Sequence, residues 1–229
     1  KDGLNRIQPS LGLMSIAQIL IDQDHIVKIY DTALEGWNNR KDLGDNKVLI
    51  GQSDAEIEAT IRDFDPDVVG VSILFSNLNQ SGHNVARIIK KINKSTKVIL
   101  GGNHISNSVV DYKNFIIHPG DKFPVIKDLE DPNFDFAIIG ESDFTFATFV
   151  DKIINNQDYS SIPGLAKKLP NGSYKINQIS RIEDVTSLPI PARNLVNMEG
   201  YFNIGAFHSA KSKSDRVLNI MCSRGCPEK

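Results

Sequence analysis

Both cysteines of the chain fall in its last eleven residues, NIMCSRGCPEK, as Cys222 and Cys226. A thiolate is the side chain best suited to hold a soft metal or an iron–sulfur cluster. Two thiols cannot build a disulfide framework. As a zinc half-site they lack two further ligands, and no histidine stands at metal-ligand spacing from them. The residues alone leave two readings open: a pair of thiols without a metal role, or an incomplete zinc half-site. A second set of chemistry-bearing residues follows three apolar runs. These are Ser72 in VSILFS; Gly101 and Gly102 in ILGGNH; and Gly140, Glu141 and Ser142 in IIGES. Glycine lets a ligand approach the backbone closely, although Gly101-Gly102 also suits a simple tight turn. Ser72 also suits a backbone cap, and Glu141 suits the start of a helix. His104 stands at a strand end, where a hydrogen-bonded histidine is the ordinary reading. His83, beside Gly82, reads as a solvated helix residue.

The elements that must position these residues alternate. Leu13, Ile16, Ala17 and Leu20 mark one helix face, and IVKIYD (Ile26 to Asp31) alternates like a strand. SDAE at Ser53 to Glu56 is a capping box that opens a helix carrying Ile57, Ile61 and Phe64. DVVGVSILF, KVILGGN and FDFAIIGES are nearly continuous apolar runs, as expected of strands buried on both faces. Val85, Ile88, Ile89 and Ile92 predict the helix between the first two, and Phe146, Phe149, Val150 and Ile153 the helix after the third. This order predicts a flavodoxin-like or Rossmann-like α/β fold, a parallel sheet with helices on both faces. The small-residue strand ends then lie along its carboxyl edge, where ligands of such sheets bind. A first strand is expected upstream of Lys1, or the sheet is short by one. Thr32 to Gln52 reads as a long polar loop, and Asn107 to Asn133 as an insertion. GLAKKL, a PNG turn and SYKIN predict a hairpin. SLPIPARNL is a Pro-rich connector, and RVLNIMCS alternates like a strand leading into the cysteines. The expected organisation is an α/β domain over 1–157, a hairpin and linker over 158–214, and the start of a further domain over 215–229.

The 229 residues carry a formal charge of −2, which gives no electrostatic case for nucleic acid or an anionic membrane. No apolar run approaches the ~20 residues of a spanning helix, and the start KDGLNRIQPSLG has no signal-peptide core. A cytoplasmic location is expected.

The ordered series QPSLGLMSIAQIL, HIVKIYD, PDVVGVSILFSN, KVILGGNHIS, FDFAIIGESDFTF, IPGLAKKLPNG, SLPIPAR and IMCSRGCP resembles the cobalamin (B12)-binding radical S-adenosylmethionine enzymes over nearly the whole chain. The resemblance implies that the α/β domain binds cobalamin, with contacts from Ser72, Leu74, Ser76, Gly101, Gly102, Asn103, His104, Gly140, Glu141 and Ser142. The family's Cys-x3-Cys-x2-Cys motif would begin at Cys226, with its second position immediately after Lys229, and Cys222 would not be a ligand. Three thiolates leave one iron of a [4Fe–4S] cluster open for S-adenosylmethionine. On this resemblance 215–229 is the beginning of a truncated radical barrel, the chain alone is inactive, and the full-length protein transfers a methyl group to an unactivated carbon. The Asp-x-His-x-x-Gly pattern of many cobalamin domains is absent. The competing expectation is a non-catalytic flavodoxin-like binding or signalling module. A phospho-receiver is disfavoured because its middle strand should end in Asp, whereas VSILF does not.

Overall fold

The computed structural model describes residues 7–45, 47–107, 109–111, 116–117, 127–205, 214 and 216–224. They form two compact units, one from the segments up to Ser53 and from Asp184 onward, the other from Asp54 to Glu183.

In the first unit, helix α1 (Leu11–Ile21) is capped by Ser10, whose hydroxyl accepts from the Leu13 amide at 3.4 Å. Its inward stripe is Met14, Ala17 and Leu20, with Ile19 beside it. Asp31 caps the short helix α2 (Thr32–Glu35): its Oδ1 accepts from the amides of Ala33 and Leu34. The predicted strand over Ile26–Asp31 does not form, and Ile26 stands 90% exposed. An alternating run becomes a strand only with a neighbour to bond, and none lies beside it among the described residues. The predicted loop over Thr32–Gln52 instead contains α2 and an antiparallel pair, β1 (Arg40–Gly44) with β2 (Lys47–Ile50). Every residue of β1 is exposed, so no burial period marks it in the sequence. The returning segment supplies a last helix, α7 (Met198–Ile204). Buried Tyr201 donates its hydroxyl to Asp31 Oδ2 at 2.7 Å, and burial plus that carboxylate push the phenol well above its usual range. Ala192 donates its amide to Met14 O, and Asn219 donates its side-chain amide to Pro9 O. The alternating stretch over 216–222 forms no strand, and Ile220 is 73% exposed.

The second unit runs α3 (Asp54–Phe64), β3 (Val68–Ser72), α4 (Asn79–Ile92), β4 (Lys97–Gly101) and α5 (Asn103–Asn107), then a two-residue ladder of β5 (Val110–Asp111) with β6 (Ile116–Ile117). A 3₁₀ turn at Lys127–Glu130 precedes β7 (Phe136–Ile138), α6 (Asp143–Ile154), β8 (Leu165–Lys168) and β9 (Tyr174–Ile176). The region expected as an insertion, Asn107–Asn133, thus holds the small ladder and the turn. The sheet order is β3-β4-β7-β8-β9. The first three strands are parallel, with Val68 beside Lys97 and Ile99 beside Phe136. The predicted hairpin is β8–β9, and it continues the sheet because β8 pairs antiparallel with β7.

Successive side chains of a strand face opposite ways, and the core divides accordingly. Val98, Leu100, Ala137 and Ile139 pack in one cluster with Ala86 and Ile89 of α4. Ile99, Phe136 and Ile138 pack in another with Phe149 of α6. The expected α/β sheet covered on both faces is therefore present. The amino ends of the strands are locked by Lys90, whose Nζ lies 2.7 Å from Asp135 Oδ2, while that same oxygen accepts from the Val98 amide at 2.7 Å. No helix among the described residues is long and apolar enough to cross a membrane.

Candidate functional site

The carboxyl ends of β3, β4 and β7 form one rim. Beyond β3 the backbone keeps bonding to its neighbour: Ile73 donates its amide to Gly101 O at 2.9 Å, and His104 donates its amide to Ile73 O at 3.1 Å. Ile73 is buried, whereas Leu74, Phe75 and Leu78 are 52%, 60% and 46% exposed. These three side chains form an exposed apolar strip outside the core. Ser72, Ser76 and Asn103 are exposed beside it. Gly102 has φ of 100°, and a Cβ there would lie 2.5 Å from Ile73 O, so the turn from β4 into α5 admits only glycine. Gly101 is the opposite case: a Cβ would meet nothing within 4 Å. Its face is open space.

The third strand end is built differently. The Gly140 amide donates to Ser106 Oγ of α5 at 3.0 Å. Glu141 Oε2 accepts from the Ile182 amide at 2.6 Å, which ties down the chain after the hairpin. Ser142 sits at the start of α6 without a side-chain capping bond, and its carbonyl accepts from Phe146. The rim therefore has an exposed apolar and glycine-lined part at β3 and β4, and a braced part at β7.

Two of the residues expected at the rim are bonded to each other. Ser76 Oγ and His104 Nδ1 are 2.8 Å apart. His104 Nε2 faces Asp128 Oδ2 at 3.3 Å, so its N–H is directed at a carboxylate and Nδ1 at a hydroxyl. Asp128, 7% exposed on the Lys127–Glu130 turn, is a hub. Its Oδ1 also accepts from Asn79 Nδ2 at 2.8 Å and from His83 Nε2 at 2.9 Å. The other nitrogen of His83 lies 2.6 Å from Asp131 Oδ2. Two ionised carboxylates can only accept, so both ring nitrogens of His83 must carry protons, which makes it an imidazolium. Burial alone would lower its pKa, but the hydrogen bonds to Asp128 and Asp131 outweigh burial and raise it. Burial likewise opposes ionisation of the two carboxylates, and the bonds from His83 hold both below the usual range. The expectation of a solvated His83 is thus corrected: its side chain is 20% exposed and clasped between two acids. Its position on α4 gives no sign in sequence of a turn 45 residues later docking on it. Asp128, Asp131 and Asn79 were not singled out in the sequence for the same reason. Among the described residues, no group of three such side chains is arranged to hold a metal ion; these donors are spent on one another. A recess of about 310 Å³ opens beside the cluster, lined by Asn79, Gln80, His83, Asn84, Arg87, Asp131 and Asn133.

Cys222 is an exposed free thiol. Cys226, the expected cluster ligand, lies outside the described residues.

Residues 4–117 match the sequence profile of a family described as B12 binding domain. Over 246 aligned positions the chain is 28% identical to cytidylyl-2-hydroxyethylphosphonate methyltransferase of Streptomyces wedmorensis, covering 97% of this chain and 43% of that protein. It is 30% identical to an uncharacterized methyltransferase of Pyrococcus horikoshii, covering 96% of this chain and 39% of the relative. The chain thus spans about two fifths of the length of these relatives. Among solved structures, it superposes on the cobalamin-dependent S-adenosylmethionine radical enzyme OxsB, with aqua-cobalamin and S-adenosylmethionine bound, at a TM-score of 0.63 and 14% identity, covering 87% of this chain and 23% of OxsB. The radical S-adenosylmethionine methyltransferase TsrM of Kitasatospora setae, with cobalamin and a [4Fe–4S] cluster bound, gives a TM-score of 0.50 at 15% identity, covering 74% of this chain and 28% of TsrM. At these identities the structural likeness concerns the fold.

Proposed function

We propose that this chain is the cobalamin-holding part of a longer radical S-adenosylmethionine enzyme, on the premise that its residues 4–117 belong to the B12 binding domain family. The observation that carries the reading is the open face of Gly101 beside the exposed strip of Leu74 and Phe75. A flat macrocycle with apolar faces and polar edges fits such a rim: apolar side chains take the ring and small residues admit it to the backbone. When bound, cobalamin supplies a transferable methyl group on cobalt. The chain's own residues hold and orient it. Gly101 and Gly102 allow close approach, Leu74 offers apolar contact, and Ser72, Ser76, Asn103 and Ser142 offer polar groups to the ring's amide fringe. Gly140 and Glu141 hold the third edge of the seat, with Glu141 acting through its bond to Ile182. His104 serves the rim through its bond to Ser76 rather than as a free imidazole.

In the longer protein, Cys226 would be the first of three thiolates around a [4Fe–4S] cluster that takes S-adenosylmethionine. Methyl transfer to an unactivated carbon is the reaction favoured, because both curated relatives bear methyltransferase names. The test is direct. The purified chain is mixed with hydroxocobalamin and gel-filtered, and corrin absorbance is expected to travel with the protein. Gly101→Leu should abolish the co-migration while leaving the far-ultraviolet circular dichroism unchanged. A colourless wild-type fraction overturns the reading.

A further inference from the structure

The cluster around Asp128 joins three separate stretches of chain through a single side chain. His83 comes from α4, Asp128 and Asp131 from the turn before β7, and His104 from α5 at the rim. His104 in turn holds Ser76, at the head of the segment after β3. The rim at β3 and β4 is thus tied by side chains to a turn outside the rim. We propose that His83, acting through Asp128, is the positioning residue of the cobalamin seat, and that its second proton is required for tight cobalamin binding. This inference rests on the cobalamin reading given above.

The geometry supplies the reason. A neutral imidazole has one N–H. With Asp128 at 2.9 Å on one nitrogen and Asp131 at 2.6 Å on the other, loss of a proton sets a lone pair against a carboxylate lone pair on one side. One of the two contacts must then open. If it is Asp128 that moves, His104 loses its acceptor and Ser76 its brace. The groups facing His83 are these: Asp128 and Asp131 from the turn, His104 of α5 beyond Asp128, and the edge-on ring of Phe134 at a 5.2 Å centroid distance. Arg87 lines the same recess one turn along α4, with its guanidinium bonded to Asp54 Oδ2 at 3.0 Å. Acids dominate around the ring, which is why it holds its proton. The sign follows from linkage. A raised histidine pKa means that the contact is complete below the ordinary imidazole range and is lost as pH rises through the raised value. The lowered carboxylates give the acid limit, with loss only as pH falls through their depressed values.

The experiment measures binding of cyanocobalamin, whose cyanide leaves no titrating axial water, by equilibrium dialysis of the whole chain from pH 6 to pH 9. Wild-type affinity should fall at least about tenfold across that range, the worth of one charge-assisted contact. Asp131→Asn is the informative variant. Its amide can donate to a neutral His83 nitrogen, so the clasp stays complete at high pH and the alkaline fall should vanish. In the unliganded chain, amide exchange at Asp131, Asn133 and Phe134, corrected for intrinsic rates, should accelerate at alkaline pH in the wild type and not in Asp131→Asn. Binding that is equally tight at pH 6 and pH 9, or an Asp131→Asn profile that falls like the wild type, overturns the inference and leaves the cobalamin reading intact. No binding at any pH overturns both.

Discussion

At the scale of single residues, the adjacent glycines Gly101 and Gly102, at the end of β4 and just beyond it, differ in what a side chain would meet. Gly102 lies in the left-handed half of backbone space with no room for a Cβ against Ile73, whereas Gly101 faces open space. Gly102→Ala should therefore cost at least about 2 kcal/mol, read as a lower urea midpoint with an unchanged slope. Gly101→Ala should leave the unfolding free energy within about 0.5 kcal/mol of wild type. Equal losses at the two positions would contradict this reading of the turn. In the sequence the pair reads as one feature, because two glycines in a row do not say which is held by φ and which faces open space. His83 shows the complementary failure. Helical position tells that a residue sits near Gly82, but not what docks on it, and its two acids are brought in by long-range folding. His104 was recognisable by its place at a strand end; its bonds to Ser76 and Asp128 were not.

At the scale of elements, what was legible is what obeys a local period. The three parallel strands and helices α4 and α6 follow from continuous apolar runs and helical spacing, and β8–β9 from its Pro-Asn-Gly turn. The failures are elements decided by partners. Ile26–Asp31 alternates without pairing among the described residues, whereas the fully exposed β1 pairs with β2 despite lacking any apolar face. The lock at the amino ends of the sheet is an element-scale feature too, since Lys90 on α4 reaches Asp135 ahead of β7, and Asp135 reaches β4. Lys90 and Asp135 side chains are only 12% and 22% exposed. Lys90→Met leaves the carboxylate without its cation and should destabilise the chain by about 3 kcal/mol, measured by thermal or urea unfolding. A loss under about 1 kcal/mol would place the pair with ordinary surface ion pairs.

At the scale of the whole molecule, a cofactor that binds only the folded form must stabilise it. With cobalamin at a hundred times its dissociation constant, unfolding should become harder by about 2.7 kcal/mol. The thermal midpoint should rise accordingly, and the rise should be absent in Gly101→Leu. A midpoint indifferent to excess cobalamin would contradict selective binding by the folded chain. The fold class was readable in the sequence because strand-helix alternation is a property of the chain as a whole. The division into two compact units was not, because one of them is assembled from segments far apart in sequence, around contacts such as Tyr201 with Asp31. The change of direction at β8 has a kinetic meaning of its own. β8 and β9 are joined by a short turn, whereas β3, β4 and β7 meet only after whole helices and loops have been wound between them. Hairpins close in roughly 1–10 μs, and pairings between distant segments close far more slowly. The ribbon is thus expected to form first, and the rim of β3, β4 and β7 to be assembled late.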